Sequence, residues 1–132
     1  MKKVIILLIL SFAVFQTYAQ EPPVLAKIQY GETFLINGYA IVFKKVISDS
    51  RCPEGVACIR AGEAKILVNI FKSEELLESK ELVFYPSDVI NKMKPILFKG
   101  EGILINALNL SPYPEVQHRI PEKMYCLDIA VY

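Results

Sequence analysis

An all-β fold, an antiparallel β-sandwich or sandwich-like barrel of about seven or eight strands, is the architecture that the sequence predicts. Short runs rich in β-branched and aromatic residues are separated by turn residues at short spacing. Strand and helix patterns do not alternate along the chain, which argues against a parallel sheet. Several runs alternate apolar with polar residues, so each sheet has one apolar face that must be buried against another sheet.

Eight runs carry the strand pattern. In chain order they are residues 26–30, 33–36, 39–47, 64–71, 81–85, 95–98, 102–110 and 124–132. Between the second and third runs, Asn37-Gly38 predicts a tight hairpin turn, because both residues tolerate positive φ. The fourth run places Ile66, Val68 and Ile70 on one face, which predicts that this face is buried.

Two connections between these runs carry expectations of their own. Residues 72–80 are charged and are predicted to form a helical turn or a long hairpin connection. Ser87-Asp88 can cap a short helix over residues 87–94, which Pro95 would stop.

The first 19 residues have the layout of a cleaved secretory signal peptide. Lys2 and Lys3 precede an apolar run, and small residues stand at the positions expected before a cleavage site after Ala19. The alternative is a membrane anchor, but the apolar stretch of about a dozen residues is shorter than the roughly 20 needed to span a bilayer. We therefore expect a secreted or periplasmic protein whose residues 20–132 form a single domain, with no membrane insertion after cleavage.

Composition excludes several classes of function. The formal net charge is +1 and no basic run is present, so nucleic-acid binding is not expected. His118 is the only histidine, and no Gly-x-Ser-x-Gly motif or glycine-rich phosphate loop occurs. The sequence therefore predicts no catalytic residues, no metal ligands and no cofactor.

The three cysteines are Cys52, Cys58 and Cys126. In an oxidising compartment a Cys52–Cys58 disulfide is predicted, because Pro53 and Gly55 supply the bend between them. A zinc site normally needs four ligands, and thiol–disulfide exchange typically uses Cys-x-x-Cys, so both alternatives are disfavoured. Cys126 is predicted to be a buried thiol; pairing with a loop cysteine or with another molecule is the alternative.

The loop around this disulfide, residues 49–62, is the candidate recognition or structural loop. Asp49 is suited to organising a turn, and Arg51 to pairing with Asp49 or donating to backbone carbonyls. Gly62 indicates positive φ or a close backbone approach. The candidate residues are Asp49, Arg51, Pro53, Arg60 and Gly62.

Residues 49–64 resemble a signature of small secreted bacterial proteins, Asp-Ser-Arg-Cys-Pro, a spacer containing Val, Cys, then Trp-Ala-Gly-x-Ala. Gly31-Glu32-Thr33 and Pro112-Tyr113-Pro114 resemble further features of that family, so the resemblance spans most of residues 20–132. The chain departs from the pattern at Arg60, where the family has Trp, and an aromatic platform is therefore not expected there. The resemblance implies a compartment and a fold-sized unit, and it implies no activity.

Three functions remain open at this point. The first is a non-enzymatic binding or structural role, with a protein or a small ligand as partner and Tyr113, between two prolines, as a surface contact. The second is a partner-assembly or inhibitor module that adds a strand through a sheet edge, which a long uncharged edge would support. The third is a small hydrolase-like enzyme, which a cleft joining Asp49, His118 and a serine would support.

Overall fold

Two four-stranded antiparallel sheets pack face to face in the computed structural model, which describes residues 19–86, 94–116 and 118–132. The strands are β1 (Val24–Gln29), β2 (Thr33–Ile36), β3 (Tyr39–Asp49), β4 (Ala64–Lys72), β5 (Glu75–Phe84), β6 (Ile96–Gly100), β7 (Ile103–Ser111) and β8 (Cys126–Val131). One sheet has the order β1-β8-β7-β6 and the other β2-β3-β4-β5. The predicted β-sandwich is confirmed, and the sheets do not close into a barrel.

The core lies between the two sheets and follows the predicted alternation. In β4, Ile66, Val68 and Ile70 are fully buried, while the residues between them are partly exposed. Ile129 and Leu127 of β8 face them from the other sheet's inner side and are also fully buried. Each such aliphatic side chain contributes about 1.5–3 kcal/mol when it is removed from water, so this face dominates the stability of the fold.

The prediction for residues 72–80 is wrong, because most of this stretch belongs to β5. The hairpin turn consists of only Ser73 and Glu74, both with positive φ, and strand pairing resumes between Lys72 and Glu75. β5 is an edge strand whose first five residues are exposed, so its sequence needs no apolar alternation there. A charged exposed edge strand therefore has the composition of a loop.

Two other expectations lie outside the described part of the chain. The helix expected over 87–94 falls there except for Lys94, and the leader expected over 1–19 falls there except for Ala19. A turn of 3₁₀ helix does occur, but at Glu122–Met124, immediately before β8. Among the described residues, no helix is long and apolar enough to cross a membrane.

One end of the sandwich collects the irregular features. β3 pairs with β4 through two register shifts, after Phe43 and after Val46, and its last pair is Asp49 with Ala64. The loop of residues 50–63 therefore leaves and re-enters the sheet at neighbouring positions. The end of β7 and the start of β8, paired at Ser111 and Cys126, lie at the same end of the molecule.

Candidate functional site

A buried ion pair forms the base of the loop of residues 50–63. The Arg51 guanidinium donates from Nε to Asp49 Oδ1 at 2.9 Å and from Nη2 to Asp49 Oδ2 at 2.7 Å. The Arg51 backbone N–H also donates to Oδ1, at 3.3 Å. Both side chains are removed from water, with exposed fractions of 2% for Arg51 and 8% for Asp49. This two-point geometry is the one that suits Arg and a carboxylate best.

The remaining Arg51 donors tie the loop to the opposite sheet. Nη1 donates to the Leu110 carbonyl oxygen at 2.8 Å, and Nη2 donates to that of Pro112 at 3.1 Å. The guanidinium also lies 4.9 Å from the ring centroid of Tyr113. The sequence left pairing with Asp49 and donation to backbone carbonyls as alternatives, and the structure shows both.

Tyr125 completes this network, which we call the Asp49–Arg51–Tyr125 network. Its hydroxyl donates to Asp49 Oδ2 at 2.8 Å. Burial raises the pKa of Asp49, but the hydrogen bonds from Arg51 and Tyr125 outweigh burial and hold it below its ordinary range. Burial and the hydrogen bond to Asp49 raise the pKa of Tyr125 well above its ordinary value. The network therefore consists of a carboxylate, a guanidinium and a neutral phenol.

Sequence reasoning missed Tyr125 as a member of the site. Tyr125 lies immediately before β8 and is only 5% exposed. A buried tyrosine hydroxyl requires a hydrogen-bond partner, and that requirement was the available signal. The partner, Asp49, is 76 residues away along the chain, so only the tertiary structure identifies it.

The predicted Cys52–Cys58 disulfide is present, and Cys126 is a buried free thiol. The disulfide closes the distal half of the loop, in which Glu54 and Gly55 form a turn and Gly55 has φ +75°. Pro53 precedes that turn and is half-buried. Burial raises the pKa of the Cys126 thiol, which accords with an unreactive side chain in a strand.

Backbone bonds hold the two arms of the loop together. The Ser50 N–H donates to the Glu63 carbonyl oxygen, and the Cys52 N–H donates to that of Ala61, both at 2.8 Å. Gly62 has φ +72°, and a Cβ atom at this position would collide with the Ser50 carbonyl group. Both features predicted for Gly62, positive φ and close backbone approach, are therefore confirmed.

The tip of the loop is exposed. Ile59 is fully accessible to solvent, Val56 is 41% exposed, and Arg60 is exposed beside them. A hollow of about 550 Å³ lies next to this tip and is lined by the arm of residues 52–56 and by Tyr113. We call Val56, Ile59 and Arg60 the loop tip.

Tyr113, the predicted surface contact, packs against the loop. Tyr113 is half-buried, its hydroxyl donates to the Cys52 carbonyl oxygen at 2.8 Å, and its ring lies against Arg51. Tyr113 is thus part of the support of the loop.

A cleft of about 660 Å³ lies on the other side of the network. Ser48, Asp49 and His118 all line it, which is the arrangement that the hydrolase alternative required. Both Asp49 oxygens, however, already accept hydrogen bonds from Arg51 and Tyr125. Within the described residues no hydrogen bond joins His118 to Asp49 or to Ser48, so the base has neither its orienting group nor its nucleophile.

No metal centre is formed by the residues that the structure describes, since no three His, Cys, Asp or Glu side chains cluster together. Comparison of the chain with protein-family models, with curated proteins and with solved structures found no match. The resemblance of residues 49–64 to secreted bacterial proteins therefore stays a prediction.

Proposed function

We propose that this protein is a secreted or periplasmic, non-enzymatic binding domain that recognises a partner protein through the loop tip. The observation that carries the proposal is Ile59, a fully exposed aliphatic side chain on a loop that is fixed at both ends. The Asp49–Arg51–Tyr125 network fixes the base of this loop, and the Cys52–Cys58 disulfide fixes its distal half.

Rigidity is what makes an exposed apolar tip useful for binding. A flexible loop loses conformational entropy when it binds, at a cost of about 0.5–1.5 kcal/mol for each long side chain that becomes ordered. Ordering the loop backbone is a further cost, and a loop that is already held in one shape avoids much of it. Arg60 beside Ile59 adds a group with five donors, which suits a partner surface with carboxylates around an apolar pocket.

Site-specific photo-crosslinking tests the proposal. A photoreactive side chain at position 59 is compared with one at position 35, because Leu35 is also exposed (75%) but lies on β2, away from the loop. We expect a protein from the native periplasm or medium to be captured from position 59 only. The captured protein, once purified, should bind the wild type and the Leu35→Ser variant, and it should bind Ile59→Ser at least about tenfold more weakly. Equal capture at both positions would refute the proposal.

The location outside the cytoplasm rests on the leader and is supported by the disulfide, which persists in oxidising compartments. Mass spectrometry of protein recovered from outside the cytoplasm should give a chain that begins at Gln20. Thiol titration of the same material should find one accessible thiol after unfolding without reductant, from Cys126. A chain that retains residues 1–19, or three free thiols, would contradict the proposed compartment.

Hydrolysis is a second candidate, favoured by the presence of Ser48, Asp49 and His118 in one cleft. We rank it below binding because the Asp49 oxygens are already engaged. A fluorophosphonate probe, which labels activated serines, should leave Ser48 unlabelled. Labelling that disappears in His118→Ala would establish the enzyme instead.

Strand addition through a sheet edge is less favoured still. β2 has only four residues, β1 has six, follows Pro22-Pro23 directly and carries Lys27, and β6 follows Pro95 directly and carries Lys99. β5 is the longest edge, with ten residues, but its sequence carries Glu75, Glu78, Lys80 and Glu81. Charges and prolines of this kind oppose pairing with a further strand.

A further inference from the structure

The cleft beside the network has the properties of a small-molecule site, and the proposed binding through the loop tip does not use it. Its volume of about 660 Å³ lies within the range of about 300–1,000 Å³ that is typical of ligand sites. Its floor contains the side chains of Asp49 and Tyr125, which the network holds in place. The apolar part of its wall consists of Val46, Ile47, Pro114, Ile120 and Pro121.

The floor of the cleft offers no open carboxylate to a ligand. Asp49 Oδ1 accepts from the Arg51 backbone N–H and from Nε, while Oδ2 accepts from Nη2 and from the Tyr125 hydroxyl. The Tyr125 proton is used in that bond, so its oxygen can only accept. A cationic ligand would have to compete with Arg51 for Asp49, and Arg51 already satisfies it in a bidentate geometry.

Arg119 is the group in the cleft that remains available for a charged partner. Its side chain is exposed, and in the described part of the chain it forms no ion pair. Arg119 lines the cleft together with Asp49 and Tyr125. Burial and Asp49 raise the pKa of Tyr125, and the charges of Arg51 and Arg119 oppose that rise. His118 and Ser48, both exposed, add further hydrogen-bonding groups.

Two carboxylates lie near Arg119 along the chain. Glu122 lines the cleft. Its charge, second only to burial, raises the pKa of Tyr30, which lies outside the cleft, so Glu122 also interacts with a group on that side. Glu115 lines a smaller neighbouring cavity of about 230 Å³, together with His118 and Arg119. Neither is within ion-pair distance of Arg119, so the cation can accept a partner from outside.

We propose that this cleft binds a small organic carboxylate with an apolar body. The Arg119 guanidinium pairs with the carboxylate, and the apolar body packs against Val46 and Ile120. This occupant complements Arg119, unpaired among the residues that the structure describes, and the apolar wall of the cleft. An inorganic anion would leave the wall uncovered, and an apolar molecule would leave Arg119 without a partner.

Isothermal titration calorimetry with phenylacetate, phenylacetamide and acetate tests the proposal on the purified protein. Phenylacetate carries both the apolar body and the charge, whereas each of the other two lacks one of them. We expect phenylacetate to bind more tightly than either. Arg119→Gln should weaken phenylacetate binding about tenfold or more, while Arg60→Gln, which removes an exposed arginine outside the cleft, should leave it unchanged.

A second variant tests the apolar wall. Ile47 is 43% exposed and lines the cleft, so Ile47→Ser should weaken phenylacetate binding without changing the fold. Ile59→Ser should have no effect, because the loop tip is not part of the cleft; the carboxylate site is thereby tested separately from the partner-binding loop. Absence of phenylacetate binding, equal affinity for phenylacetamide, or equal losses in Arg119→Gln and Arg60→Gln would each overturn the proposal.

Discussion

Replacement of Arg51 by alanine tests the central feature of this structure, the buried Asp49–Arg51–Tyr125 network. The substitution removes two donors from Asp49 and leaves the Leu110 and Pro112 carbonyl oxygens without their donor. Asp49 would stay in a site where its side chain is 8% exposed, with its own backbone neighbour and Tyr125 as its remaining donors. The change therefore leaves a buried carboxylate without its ion-pair partner, which destabilises the folded state.

The expected loss is large for a domain of this size. Breaking a buried ion pair by removing one partner costs about 3–5 kcal/mol, because the other charge is left uncompensated. For a domain of roughly 100 residues, 1 kcal/mol corresponds to about 4 °C in Tm, so Arg51→Ala should lower Tm by about 12–20 °C. The Tm of Arg51→Lys should lie between those of the wild type and Arg51→Ala, since an ammonium keeps the charge but cannot form the bidentate pair.

Urea unfolding followed by circular dichroism measures this loss, with Arg60→Ala as the matched control. Arg60 is exposed at the loop tip, so its replacement should change the unfolding free energy by less than about 0.5 kcal/mol. Adding Asp49→Asn to Arg51→Ala removes the stranded charge and should recover part of the loss. The reasoning is refuted if Arg51→Ala costs no more than Arg60→Ala, or if Asp49→Asn adds to the loss instead of reducing it.

Two further predictions concern the same end of the molecule. Gly62→Ala should destabilise the protein by about 1–3 kcal/mol in thermal unfolding, and by more than Gly55→Ala. Both glycines have positive φ, but only at Gly62 would the added Cβ collide with the Ser50 carbonyl group. Equal losses in the two variants would contradict this reasoning. The folded-state pKa of Asp49 lies below its unfolded value of about 3.9, so its stabilising contribution is complete above that pH and is lost as the pH falls through the folded pKa. Tm measured from neutral pH down to about pH 2 should therefore fall less steeply for Asp49→Asn than for the wild type, and parallel curves would rule out this contribution.

Strand alternation was predictable because a strand's two faces follow from its sequence period of two. The buried Ile66, Val68 and Ile70 of β4 were identified in this way. The first half of β5 was not, because an exposed edge strand needs no apolar face and its two-residue turn, Ser73-Glu74, lacks the Asn-Gly signature of such turns. Solvent on both sides of a strand removes the pattern on which the prediction depends.

The candidate site divides in the same way. Asp49, Arg51 and Gly62 were identified as loop organisers from residue chemistry alone, since Asp49 and Arg51 are two residues apart and interact locally. Tyr113 was predicted only as a surface contact; its hydrogen bond to the Cys52 carbonyl, 61 residues away, was not, because flanking prolines say nothing about which surface a ring packs against. The sequence raised the hypothesis of a cleft that joins Asp49, His118 and a serine. Only the folded chain shows that such a cleft exists and that Asp49 already accepts a hydrogen bond from Tyr125.

The sequence by itself determined the sandwich, the Cys52–Cys58 pairing and the loop that contains it, because these depend on local periodicity and on short chain separations. The tertiary structure alone decided what Arg51 holds together, since its donors reach the Leu110 and Pro112 carbonyls 59 and 61 residues away. It also decided that the Tyr125 hydroxyl donates a hydrogen bond to Asp49. Contacts across such separations depend on how the two sheets are brought together, and no local pattern in the chain encodes them.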